Sequence, residues 1–89
     1  GISDLDEAVR YMKHPVLSAR LREISGALLK HKGKKTALDI FGEIDAVKVR
    51  SSMTLFDAVC PNDVFSEVLD AFYDGQKDTL TVELLLVRD

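Results

Sequence analysis

Residues 45–60, DAVKVRSSMTLFDAVC, place Val49, Met53, Phe56 and Cys60 at intervals of four, three and four, with Ala46 on the same side. Such spacing returns to one face of a helix but alternates across a strand, so it predicts an amphipathic helix over 46–60. Its apolar face makes it the packing centre of the chain. The other face carries Lys48, Arg50, Ser51, Ser52, Thr54 and Asp57, the one concentrated group of varied polar side chains in the sequence.

A central helix needs apolar partners, and two other segments supply them. Leu17, Leu21, Ile24 and Leu28 form a stripe on a helix predicted over 15–31, broadened by Val16, Ala27 and Leu29. Ser25-Gly26 on that helix would permit close approach by another. Val64, Phe65, Val68, Leu69 and Phe72 give a second stripe, entered through Asn62 or Asp63 as cap and left through Tyr73-Asp74-Gly75. Ahead of these, Ser3 is the expected cap of a first helix with Asp4, Asp6 and Glu7 in its opening turn and Leu5, Ala8, Val9 and Met12 on its buried side. Pro15 disfavours helical geometry at His14 and suits the first position of a new helix, so His14-Pro15 predicts a corner. KHKGKK at 30–35 predicts a turn with a stop at Gly33, Thr36 starts a short helix to Phe41, and Gly42 ends it, leaving Asp45 to cap the central helix. TLTVELLLV at 79–87 mixes β-branched residues with a Thr79, Val82, Leu85 and Leu86 face; its helical neighbours favour helix. The expected fold is all-α, a compact orthogonal or bundle-like packing of five to six helices in one domain over 1–89.

The chemistry of the chain excludes more than it assigns. No apolar run approaches the roughly 20 residues of a membrane-spanning helix, and no basic segment leads into an apolar one as in a signal peptide. The chain opens with Gly1-Ile2-Ser3 rather than Met, consistent with processing, tag cleavage or removal of an upstream segment. A single cysteine, Cys60, precludes an internal disulfide, fits a reducing compartment and extends the apolar stripe as a small hydrophobe. His14 and His31 lack metal-ligand spacing, GKKT at 33–36 lacks the upstream glycine of a phosphate loop, and no cofactor or metal is expected. Arg20, Arg22, Lys30, Lys32, Lys34 and Lys35 could meet phosphates. The net charge of −3, the absence of Trp and the lack of a basic recognition helix argue against nucleic acid.

The remaining candidate is a ligand site on the polar side of the central helix, formed by Lys48, Arg50, Ser52 and Thr54 near the His14 corner. Arg50 is the best bidentate donor for a small anionic ligand, with Lys48 adding charge and Ser52 and Thr54 orienting hydrogen bonds. A protein partner could use the same face. Catalysis would also require a general base within reach of a nucleophile such as Ser51 or Ser52, and His14 is the candidate the sequence offers. Structural hydrogen bonding to neighbouring loops is the alternative for the whole group. With 46% hydrophobic residues, the chain has an apolar inventory that also suits self-association as a homo-oligomer, by exchange of helices for example.

Three segments, ISDLDEAVRYMKHPVLSARLRE at 2–23, DIFGEIDAVKVRSSMTLFDAV at 39–59 and VFSEVLDAFYDGQKDTLTVELL at 64–85, resemble the bacterial domain-of-unknown-function family number 1810. The most specific part is the helix with Lys48, Arg50, Ser51, Ser52, Met53, Thr54, Leu55 and Phe56, supported by His14-Pro15-Val16-Leu17 and Ile40-Phe41-Gly42. The resemblance implies a mostly helical, cytoplasmic bacterial domain with no established activity. Val49 stands where such sequences usually have Leu, and Lys34-Lys35-Thr36-Ala37 varies a loop. The resemblance further implies an upstream segment containing a helix and a Trp- and Phe-rich stretch, so that this chain would be the C-terminal portion of a longer domain. An N-terminal segment missing here could then complete a site. Some family members carry the label calpastatin. Inhibition of that kind belongs to extended, disordered sequences, whereas this chain has the apolar content of a packed domain.

Overall fold

A computed structural model describes residues 4–86. Five α-helices follow in order: α1 Leu5–Lys13, α2 Pro15–Leu28, α3 Ala37–Val59, α4 Val64–Tyr73 and α5 Thr79–Leu86. A single 3₁₀ turn, Leu29–His31, closes α2. Among the described residues there is no strand, and the architecture is all-α.

α3 lies at the centre, packing on α1, α4 and α5, while α2 packs on α1 and α4. The core forms where the predicted stripe of α3 meets its neighbours: Met53, Leu55 and Phe56 from α3, Ala8 from α1, and Phe65, Val68 and Leu69 from α4 are buried. Phe56 joins the helices through aromatic contacts, its ring centroid 5.6 Å from that of Tyr11 and 5.3 Å from that of Phe65. Val49 and Cys60, at the ends of the stripe, pack against this core half-buried. Beside Cys60 the guanidinium of Arg22 approaches Sγ to 3.8 Å, but its Nε and Nη2 both donate to Asp63, at 3.2 and 3.0 Å.

The helix ends follow their local chemistry. Asp4 caps α1 by accepting from the Glu7 backbone N–H; the expected cap, Ser3, lies outside the described residues, as does Val87, the last residue of the predicted final segment. Thr36 and Asp39 form a reciprocal capping box at the start of α3, with Asp in place of the longer Glu or Gln. Gly42 then interrupts α3 with φ 80° and ψ 171°, a conformation almost confined to glycine. The helix restarts directly after it. Asp45 is therefore within the first turn of the longer section and is not its cap. Asp63 caps α4 through the Val64 N–H, and Asp74 ends that helix in the left-handed region at φ 54°.

The face of α2 also departs from expectation. Ser18 and Ser25 are buried and Leu17, Leu21 and Leu28 half-buried, whereas Val16, Ile24 and Ala27 are exposed. The contact stripe is rotated toward the two serines, small residues that let α2 approach the core. Gly26 provides no such approach, since a Cβ placed there would meet nothing within 4 Å.

Candidate functional site

The varied polar face of α3 divides into two surfaces. One is a seam that holds the α4–α5 connection. Arg50 donates from Nε to the carbonyl of Gln76 at 2.8 Å and from Nη2 to that of Lys77 at 3.2 Å, and lies over the Tyr73 ring, 5.9 Å from its centroid. The Tyr73 hydroxyl donates to the Ala46 carbonyl at 2.7 Å. Burial raises the pKa of that phenol, while the nearby Arg50 charge opposes the rise. One turn on, the Thr54 hydroxyl donates to the Arg50 carbonyl at 2.8 Å and accepts from the Asp78 backbone N–H at 3.0 Å. Lys77 reaches back to the buried carboxylate of Asp57 at 3.3 Å. Residues 46, 50, 54 and 57 of α3 thus fasten the chain from Tyr73 to Asp78 at successive helical turns.

The seam continues into α5. Asp78 accepts from the Thr81 backbone N–H and from the Thr81 hydroxyl through one oxygen, Oδ2, at 2.9 and 2.6 Å. These two bonds, side chain first, lower the Asp78 pKa. The Thr81 hydroxyl lies 2.9 Å from that of Ser51. Because the only hydroxyl hydrogen of Thr81 goes to the carboxylate, Ser51 is the donor to Thr81. Ser51 is thus the far end of a chain running toward Asp78.

The second surface is an open groove of about 390 Å³ between α3 and α1, reached by Leu21 of α2, with Tyr11, Leu21, Val49, Met53 and Phe56 as its apolar wall and Lys48 and Ser52 as its polar residues. At Lys48 it adjoins an open depression lined by Glu43, Ile44 and Val47. Ile44 and Val47 are 72% and 62% exposed, a large apolar area on the first turns after the Gly42 break.

The five residues singled out from the sequence therefore have three destinations. Lys48 and Ser52 come together in the groove. Arg50 and Thr54 come together in the seam, where Thr54 is only 2% exposed and both side chains bond to backbone. His14 stands at the α1–α2 corner, capping α2 with Nδ1 as acceptor from the Leu17 N–H at 3.2 Å. That bond fixes the hydrogen on Nε2 if the ring is neutral. Ser18 completes the corner by donating to the His14 carbonyl. Asp78, Thr81 and the Asp57–Lys77 pair were not singled out, although Asp-Thr-Leu-Thr at 78–81 carries the cap spacing that Asp78 and Thr81 realise. Among the described residues no three His, Cys, Asp or Glu side chains are grouped to hold a metal ion, and no helix is long and apolar enough to cross a membrane.

A family model described as Protein of unknown function (DUF1810) matches residues 1–85. The crystal structure of the conserved hypothetical protein Rv1873 from Mycobacterium tuberculosis is similar at 40% identity with a TM-score of 0.87 over 99% of this chain. The chain spans 63% of the length of that protein. A comparison with curated proteins found no match.

Proposed function

The chain belongs to the DUF1810 family, and on that premise we propose that the helical unit is a docking domain for a further polypeptide segment, received in the groove between α3 and α1. The observation that carries this reading is that the groove shares Lys48 with the neighbouring depression lined by the exposed Ile44 and Val47. An apolar strip whose charged and polar lining is Lys48, Ser52 and Glu43 is a surface an amphipathic segment recognises, with its apolar side on Tyr11, Val49 and Met53 and a carboxylate on Lys48. The occupant is of the kind that makes up the rest of the Mycobacterium tuberculosis relative, a little over a third of whose length lies outside the match. Lys48 and Ser52 are the contact residues. Arg50 and Thr54 act at one remove, by keeping α3 fixed against the α4–α5 connection.

The test uses overlapping synthetic peptides that cover the unmatched part of that relative, titrated into the isotope-labelled chain. One peptide should bind saturably and shift the amide signals of Lys48, Val49, Ser52 and Met53, and Val47→Glu combined with Lys48→Glu should weaken it at least tenfold. Both substitutions are at exposed positions and leave the core intact. Failure of every peptide to bind, or shifts confined to another face, would exclude the groove as the docking surface.

A further inference from the structure

A separate cavity of about 280 Å³ opens between the first turn of α1, the middle of α3 and α5. Its apolar wall comes from leucines of all three helices, Leu5, Leu55, Leu84 and Leu85 among them, and its polar wall from Asp4, Asp78, Ser51 and Thr81. Leu84 is 58% exposed, so the apolar wall is accessible from solvent. None of these residues belongs to the docking groove.

The direction of the hydrogen bonds decides what the polar wall recognises. Thr81 gives its hydroxyl hydrogen to Asp78, and Ser51 gives its own to Thr81, so both hydroxyl hydrogens are committed. Each carboxylate holds a helix cap through one oxygen: Asp4 accepts from the Glu7 N–H at Oδ1, and Asp78 accepts from Thr81 at Oδ2. Among the described residues, neither second oxygen has a hydrogen-bond partner. Among the described residues, the side chains of this wall therefore offer acceptors and negative charge and no free donor. An anion would meet repulsion from the two carboxylates there, and a neutral acceptor finds no side-chain hydroxyl to donate to it. A cation with several N–H groups complements it.

We propose that this cavity binds a small primary amine with a short apolar tail, the ammonium donating to Asp4 and Asp78 and the tail covering Leu55, Leu84 and Leu85. The volume lies just below the range of about 300–1,000 Å³ usual for ligand pockets, which favours a short-chain amine over a drug-sized molecule. Arg50 sets a limit on affinity. Its charge acts on Asp78, but its guanidinium is held away by the carbonyls of Gln76 and Lys77, so it moderates the negative field without forming an ion pair with Asp78. Burial of the tail supplies the second part of the binding, because leucine surface now facing water is removed from it.

The test is a titration of the isotope-labelled chain with n-hexylamine, n-hexanol and hexanoate at constant ionic strength, followed through the leucine methyl and backbone amide signals. Hexylamine should bind saturably, shift the signals of Ser51, Leu55, Thr81 and Leu84, and bind at least tenfold more tightly than either hexanol or hexanoate. Asp4→Asn combined with Asp78→Asn removes both charges while keeping side chains that cap helices well; it should lower hexylamine affinity at least tenfold and leave hexanol unchanged. Equal binding of hexylamine and hexanol by the unaltered protein would overturn the proposal without reliance on any variant. Undiminished amine binding by the double variant, or shifts mapping outside the cavity, would overturn it too.

Discussion

Thr54→Val tests whether the seam stabilises the fold or only decorates it. The two side chains have nearly the same shape, so the substitution removes a hydroxyl from a position 2% exposed without leaving a void. Two hydrogen bonds are lost. The Arg50 carbonyl loses the Thr54 hydroxyl at 2.8 Å but, as a helical carbonyl, retains its backbone acceptor role. The Asp78 N–H, 3.0 Å from the hydroxyl, precedes α5 and has no helical partner to replace it. A part-buried donor left without an acceptor costs about 1–3 kcal/mol, and the added methyl offsets up to about 0.8 kcal/mol. The expected net loss is about 1–2 kcal/mol, or roughly 5–15 °C in Tm for a domain of this size. Thr54→Ser keeps the hydroxyl and removes a buried methyl, at about 0.8 kcal/mol. Thermal and urea unfolding of both variants should place Val below Ser in stability. A Val variant as stable as the Ser variant, or more so, would refute the claim that this bond holds α5.

Phe56→Ala removes the ring that joins Tyr11 to Phe65 and should cost about 3–5 kcal/mol in reversible denaturation; a change near zero would show that α3 does not centre the core. Gly42→Ala meets no atom within 4 Å but forces a side chain into φ 80°, so a loss of about 1–3 kcal/mol is expected from backbone strain alone. In acid, Asp78, bonded by Thr81, and Asp63, bonded by Arg22, have folded-state pKa values below the ordinary 3.8. Their contribution is fully present above that value and is lost as pH falls through the lowered folded values. Tm should therefore fall below about pH 4, and less steeply in Asp78→Asn, which keeps a cap without a titrating charge; identical slopes would remove Asp78 as a source.

The apolar half of α3 was legible because Val49, Met53 and Phe56 repeat at a spacing that only a helix gathers onto one side. The corner at His14-Pro15, the exit at Asp74-Gly75 and the stop at Gly42 were legible for the same kind of reason, each being a local backbone preference. Which way α2 faces was not. Leu21 and Ile24 are equally apolar, and the choice of the Ser18 and Ser25 side depends on how α2 packs on α1 and α4, which no local pattern encodes. The polar face of α3 was visible as a group, but its division was hidden. Arg50 and Lys48 look alike as cations; Arg50 becomes a backbone clamp because residues 76 and 77 return to it from a distant part of the chain. Asp78 and Thr81 carried a readable cap spacing, yet Ser51 joins them only through the docking of α5 on α3.

The contact between Phe56 and Phe65 has a kinetic consequence. Only nine positions separate the two rings, so closing that loop loses little chain entropy, and α3 and α4 can form as a helical hairpin before distant elements arrive. Tyr11, whose ring also contacts Phe56, must return across more than forty residues. Truncating Phe65 should accordingly slow folding, whereas truncating Tyr11 should mainly accelerate unfolding. The lifetime of the native state is then set by how firmly α1 stays seated, and the speed of reaching it by a turn of four residues, Cys60 to Asp63.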